Sequence, residues 1–224
     1  MMFFFQDNST LQIEKSISIL ELIQNGGVGG MIIIGILFIL LIVVIYIYFE
    51  RLFAIRSVSK IDKNFMPQIR ANILEGKIDV AKSICQSKDK PVARLLEKGI
   101  SRIGRPLEDI NSALENAGRI EIYKLERNVS ILATISGVGP MIGFLGTVIG
   151  MILSIFEISN AGGNIDMQLL SNGLYTAMTT TVAGLIVGII GYITYNHLVV
   201  KTNKIIYQME ATSLEFFDLL NEPT

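Results

Sequence analysis

The chain alternates between long runs without a charged side chain and stretches where charge is dense. Three runs are charge-free: residues 27–49, 128–156 and 167–200. At 1.5 Å of rise per residue, each is long enough as a helix to cross about 30 Å of hydrocarbon. The pattern therefore predicts three transmembrane helices over 27–49, 128–156 and 167–200. Ahead of them, residues 1–26 hold an amphipathic pattern from Ser9 to Gln24 that predicts a helix lying in the membrane interface. Between the first two runs, residues 50–127 turn polar. Apolar periodicity there predicts helices near Ile61–Glu75, Val80–Ser87, Pro91–Ile103 and Pro106–Arg127, punctuated at Gly76 and Gly104. Pro91 and Pro106 fit first-turn positions. No breaker separates the last of these helices from the second span, so one continuous rod is expected. Residues 157–166 are expected to form a short loop, and residues 201–224 read as a helix continuing out of the third span, with Ile205, Ile206, Met209, Leu214, Phe217 and Leu220 as its apolar residues.

The second and third runs differ from the first. The first is Ile, Leu and Val around a single mid-span glycine, Gly35, and is expected to face lipid. The second carries Ser136, Gly139, Gly143, Gly146, Thr147, Gly150 and Ser154 at spacings of three and four. The third carries Thr176, Thr180, Gly184 and Gly188 four apart, with Gly173, Ala177 and Thr181 alongside. Helical spacing puts each set on one face. Small residues on a membrane helix let a second helix come close, and this alone accounts for such a stripe. Threonine hydroxyls on the same face can also meet a backbone carbonyl, a water or a passing cation. Pro140, inside the second run, removes one helical hydrogen bond and needs neighbours that re-satisfy the freed carbonyl.

Charge adds the orientation. Sixteen of the nineteen basic residues lie between Arg51 and Arg127, and Lys201 and Lys204 follow the third span. The positive-inside rule puts both stretches in the cytoplasm and residues 1–26 and 157–166 outside. Acids are interspersed among the bases, which makes this a solvated helical domain and not a nucleic-acid surface. No carboxylate, lysine or arginine lies inside any of the three runs, so a proton relay at mid-depth has to borrow its ionisable group from a partner. One cysteine (Cys85) and one histidine (His197) leave no disulfide framework, metal cluster or catalytic set to assemble. Cys85 reads as a small buried packing residue. No cofactor and no enzymatic activity are expected.

The residues Gly139-Pro140-Met141-Ile142 followed by Gly143-Phe144-Leu145-Gly146-Thr147-Val148-Ile149-Gly150-Met151 resemble the second-span signature of the MotA/TolQ/ExbB proton-channel family. Thr179-Thr180-Thr181-Val182-Ala183-Gly184-Leu185-Ile186-Val187-Gly188-Ile189, with Tyr195-Asn196 beyond, resembles its third-span signature, and Glu50-Arg51-Leu52 matches after the first span. Three spans with the N-terminus outside point to the ExbB/TolQ branch. The resemblance implies an all-α integral membrane protein that extends two of its three transmembrane helices into a cytoplasmic helical domain and forms a homo-oligomeric ring, a pentamer. It implies a bacterial inner-membrane location and a one-span ExbD- or TolR-like partner inside the ring. An aspartate on that partner helix carries the proton, and force passes to a TonB- or TolA-like protein. Membrane lipid is the remaining partner, and nucleic acid is not one. By position, Thr147 and Thr181 become pore threonines, with Thr180 and Thr176 beside the path. Gly139, Pro140, Gly143, Gly146, Gly150, Gly184 and Gly188 serve close helix packing. Several relatives carry a glutamate at the position of Thr176, which leaves Na⁺ open beside H⁺ as the transported ion. Two other readings share the layout: the stator of a gliding or secretion machine, and a scaffold that conducts nothing.

Overall fold

The computed structural model describes residues 27–59, 62, 64–160 and 167–221. The interfacial helix expected over Ser9–Gln24 lies outside them. Among the described residues, regular structure is α-helical throughout: α1 (Gly27–Val58), α2 (Phe65–Leu74), α3 (Ile78–Gln86), α4 (Pro91–Ile100), α5 (Leu107–Glu126), α6 (Val129–Asn160) and α7 (Met167–Asn221). Three of these are long and apolar enough to cross a membrane, through Gly29–Val58, Val129–Asn160 and Gly173–Asn221. The chain is an all-α membrane protein. At 55 residues, α7 measures about 80 Å along its axis and outruns any bilayer.

The helices belong to two compact units. The first takes residues up to Ile36 together with Ile142–Ala183, and the second takes Leu37–Met141 with Gly184–Thr224. In the second unit, α1 does not stop at the charged pair Glu50-Arg51 that closes its apolar run. It continues to Val58 because the same face stays apolar: Leu37, Val44, Ile47, Leu52 and Ile55 are all buried. The loop expected from residue 157 is likewise shortened, since α6 remains helical to Asn160.

The continuous rod from α5 into α6 is not what forms. α5 ends at Glu126, Arg127 takes an extended conformation (ψ 133°), and Asn128 turns left-handed with φ 63° before α6 starts at Val129. Asparagine is among the few residues besides glycine that enter this region at modest cost, which lets two residues break the helix without a glycine or proline. The helices that carry a span onward past its charged edge are therefore α1 and α7, not α6. Pro91 occupies the first turn of α4 as expected, while Pro106 sits one position outside α5, as its N-cap with ψ 144°. Gly76 and Gly104 have φ of +72° and +92°, and the turns after α2 and α4 depend on them.

The charged helices share a core with the end of α7. α4 buries Val92, Leu95, Leu96 and Ile100, and a Cβ at its Gly99 would lie 2.8 Å from Leu114 of α5 and from the Phe216 ring of α7. Ile205, Met209, Phe216 and Leu219 form the buried side of α7 there, whereas Leu214 is exposed. Cys85 is buried as expected. One acid departs from the solvated pattern. Glu121 is 4% exposed. Its two carboxylate oxygens meet Arg94 Nη2 at 2.5 Å and Lys124 Nζ at 2.7 Å. Burial works to raise its pKa, but the two hydrogen bonds and the adjacent charges outweigh that and hold it below the ordinary carboxylate value.

Candidate functional site

The small-residue stripes of α6 and α7 meet each other, and they do so in both units. In the second unit, a Cβ at Gly139 would lie 3.3 Å from the Gly184 carbonyl oxygen and 3.3 Å from the Gly188 nitrogen. Gly188 in turn receives the Pro140 ring, whose Cγ stands 2.6 Å from where a Cβ would be. The same vacant position is 3.0 Å from the carbonyl oxygen of Ser136, the group that Pro140 deprives of its helical donor. A Cα–H of Gly188 thus points at the freed carbonyl, a weak contact that a side chain would abolish. Gly191 continues the seam against Ser136.

In the first unit the seam runs through Gly146, Gly150, Ser154, Gly173, Ala177 and Thr180. Thr180 fills the space over Gly146, where a Cβ would be 2.6 Å from its own Cβ. Gly150 lies against Ala177 and the Gly173 carbonyl, each 3.2 Å from its vacant Cβ position. Ser154 occupies the space over Gly173 and donates to the Gly150 carbonyl at 2.9 Å. Here the hydroxyls are spent inside the protein. Thr180 is fully buried and donates to the Ala177 carbonyl at 2.8 Å.

The four threonines singled out by sequence therefore fall into two pairs. Thr176 and Thr180 are buried, Thr180 against Gly146 and Thr176 with its methyl group over Gly30 of α1. Thr147 and Thr181 are only half-buried. Thr181 Oγ1 donates across the helix pair to the Gly143 carbonyl at 3.3 Å, and Thr147 Oγ1 donates within α6 to the Phe144 carbonyl at 2.6 Å. Gly143 and Thr147 are four apart on α6, so the Thr181 hydroxyl and the Thr147 hydroxyl mark the same face one turn apart. Each keeps free lone pairs while its proton is engaged, so both can accept from water or coordinate a cation. The outward sides of both helices are apolar there, with Phe144, Leu145, Val148 and Met178, Val182, Leu185 all exposed.

Sequence reasoning passed over Gly29 and Gly30. Both lie inside α1, Gly29 with Ile149 and Leu153 of α6 each 3.7 Å from its vacant Cβ position, and Gly30 under Thr176. The available signal was two adjacent glycines at the head of an apolar run, which reads equally as loop punctuation. No group of three or more His, Cys, Asp or Glu that could hold a metal occurs among the described residues.

Residues 87–211 match the model of the MotA/TolQ/ExbB proton channel family. Among curated proteins, the chain is similar to a putative biopolymer transport protein ExbB homolog of Methanothermobacter thermautotrophicus, 28% identical across 81% of this chain and 63% of that protein. It is also similar to the biopolymer transport protein ExbB of Aquifex aeolicus, 35% identical over 39% of this chain and 59% of the relative. The Tol-Pal system protein TolQ of Haemophilus influenzae is 34% identical over 42% and 40% of the two chains. The chain spans less than two thirds of the length of these relatives.

Proposed function

Because the chain belongs to the MotA/TolQ/ExbB proton channel family, in its ExbB/TolQ branch, we propose that it is the ring-forming subunit of an ion-driven membrane motor. In this reading copies of the chain, five by the family resemblance, surround the transmembrane helix of a one-span ExbD- or TolR-like protein. A carboxylate on that helix carries H⁺ or Na⁺ past the ring. The resulting motion is passed to a TonB- or TolA-like protein that acts on the outer membrane. The charged helices α2–α5 and the end of α7 lie in the cytoplasm, and the chain resides in the inner membrane with its N-terminus outside.

The observation that carries the proposal is the division among the threonines. Thr147 and Thr181 lie one turn apart on a partly open face within the family's signature segments, while Thr180 and Thr176 serve packing. The ring contributes hydroxyls and the partner contributes charge, as expected of a path whose walls hold no ionisable side chain from residues 128 to 156. The test is ion flux in liposomes that hold the chain with its one-span partner, under a proton or a sodium gradient. Thr147→Val with Thr181→Val should cut partner-dependent flux by at least about tenfold, a barrier increase near 1.4 kcal/mol, with the complex intact. Thr180→Val should leave flux close to wild type. Equal flux in the wild type and the double valine variant would reject these residues as the path.

A non-conducting scaffold is the second reading, favoured by the burial of Thr176 and Thr180 in the chain's own helix packing. In cells the double valine variant separates the two, because a scaffold keeps its phenotype and a motor stalls.

A further inference from the structure

A cavity of about 200 Å³ opens where α5 gives way to α6 and where α7 leaves its apolar run. Five oxygen-bearing side chains line it, Glu126, Ser130, Tyr195, Thr202 and Asn203, with Val129 and Val199 completing the wall. No lysine, arginine or histidine is among them, so the wall carries one formal charge, the Glu126 carboxylate. Arg127, Lys201 and Lys204 neighbour the lining residues along the chain, and none of the three lines the space.

Thr202 is the telling residue. It is 2% exposed, and its Oγ1 has no hydrogen-bond partner. Other threonines of these helices, such as Thr134, Thr194 and Thr212, donate to a backbone carbonyl within the preceding turn. A buried hydroxyl left unspent is destabilising unless something occupies its lone pairs. The residues around this space bring one carboxylate, three hydroxyls and an amide, and no lysine, arginine or histidine, with Glu126, Ser130 and Asn203 themselves exposed. A single carboxylate holds too little charge for a calcium site, and Mg²⁺ demands octahedral order with several ligands of its own. The volume admits an ion with a few of its waters, each occupying about 30 Å³.

We propose that the cavity bounded by Glu126, Ser130, Tyr195, Thr202 and Asn203 is a binding site for a partly hydrated monovalent cation, Na⁺ or K⁺. It is distinct from the Thr147–Thr181 face. It extends the motor reading by giving a travelling ion a station where it regains water beside a fixed negative charge. The site itself is defined at equilibrium and does not depend on conduction.

The test uses the full chain, purified from membranes in detergent. Its thermal midpoint is measured in NaCl, KCl and N-methylglucamine chloride at equal ionic strength. One of the small cations should raise the midpoint by about 2–4 °C over N-methylglucamine. Glu126→Gln and Thr202→Val should each remove at least half of that increment while unfolding no earlier than wild type in N-methylglucamine. Thr202→Val conserves shape, so loss of folding does not confuse the result. Equal midpoints in the three salts, or an undiminished increment in both variants, would overturn the proposal. So would a Thr202→Val protein that is more stable than a wild type showing no ion increment, since the cavity then holds only water. No partner-dependent flux in the wild type with the ion increment intact would reject the motor reading and leave this site standing, whereas wild-type flux without an ion increment would reject the site alone.

Discussion

Thr180 of α7 occupies the space that the missing side chain of Gly146 leaves on α6, with the two positions closer than a Cβ at 146 could allow. The fit is steric, since the Thr180 hydroxyl donates to its own helix at Ala177. Gly146→Ala should therefore destabilise the protein by about 1–3 kcal/mol through overpacking, despite alanine's better helix propensity. Thr180→Ala alone should cost less, and in the double variant it should recover much of the Gly146→Ala loss. Denaturation of the four proteins in mixed micelles gives the coupling, expected at about 1 kcal/mol or more. Additive effects would show that the two helices adjust without the contact.

Glu121 makes stability depend on acid. Its pKa is held below the ordinary 4.5, despite burial, by hydrogen bonds from Arg94 and Lys124. The folded protein thus binds fewer protons than the unfolded chain in this range. The stabilisation is complete above about pH 4.5 and is lost as pH falls through the depressed folded value. Glu121→Gln should unfold more easily at neutral pH by about 1–3 kcal/mol, because Lys124 loses its carboxylate partner and Arg94 keeps only that of the exposed Asp89. It should also show a shallower loss of stability on acidification. Midpoints measured from pH 7 to pH 3 for both proteins check this; parallel curves would remove Glu121 from the acid response.

The Cys85 thiol is 1% exposed, and burial, with the Glu97 charge nearby, pushes its pKa up to about 12. Thiolate at neutral pH is then scarcer than in a free thiol by on the order of a thousandfold. A maleimide probe should leave the folded protein nearly unlabelled and react within minutes after denaturation. Rapid labelling of the folded protein would mean that α3 opens readily from α4.

These particulars show where the sequence was sufficient. The three spans, the charged helices between them and the facing stripes follow from run length and spacing, which act locally and leave a periodic trace. The burial of Cys85 was legible for the same reason. The sorting of the threonines was not. Thr147, Thr176, Thr180 and Thr181 share helical spacing and residue type, and only the pairing of α6 with α7 and α1 decides which hydroxyls the fold consumes. Glu121 looks like any acid on an amphipathic helix until Arg94, 27 residues away, closes over it. Thr202 follows Lys201 at the edge of an apolar run, where a polar residue attracts no notice.

The break at Asn128 was equally hidden, since Glu126-Arg127-Asn128-Val129 holds no glycine or proline and asparagine is a weaker stop signal than either. The structure gives Asn128 two features: a left-handed φ of 63°, and a side-chain amide placed near the Glu50 carboxylate beyond the end of the α1 apolar run. Substitutions can separate them. Asn128→Gly keeps the backbone freedom and loses only the amide beside Glu50, so it should cost no more than about 1 kcal/mol. Asn128→Val loses the amide and places a β-branched residue where it is sterically opposed, adding on the order of 1–3 kcal/mol. Asn128→Ala should fall between. Denaturation midpoints in the order wild type, Gly, Ala, Val check the assignment. If Ala or Val proves as stable as Gly, the turn has straightened and α5 and α6 have joined into the single rod that their hydrophobic pattern alone predicts.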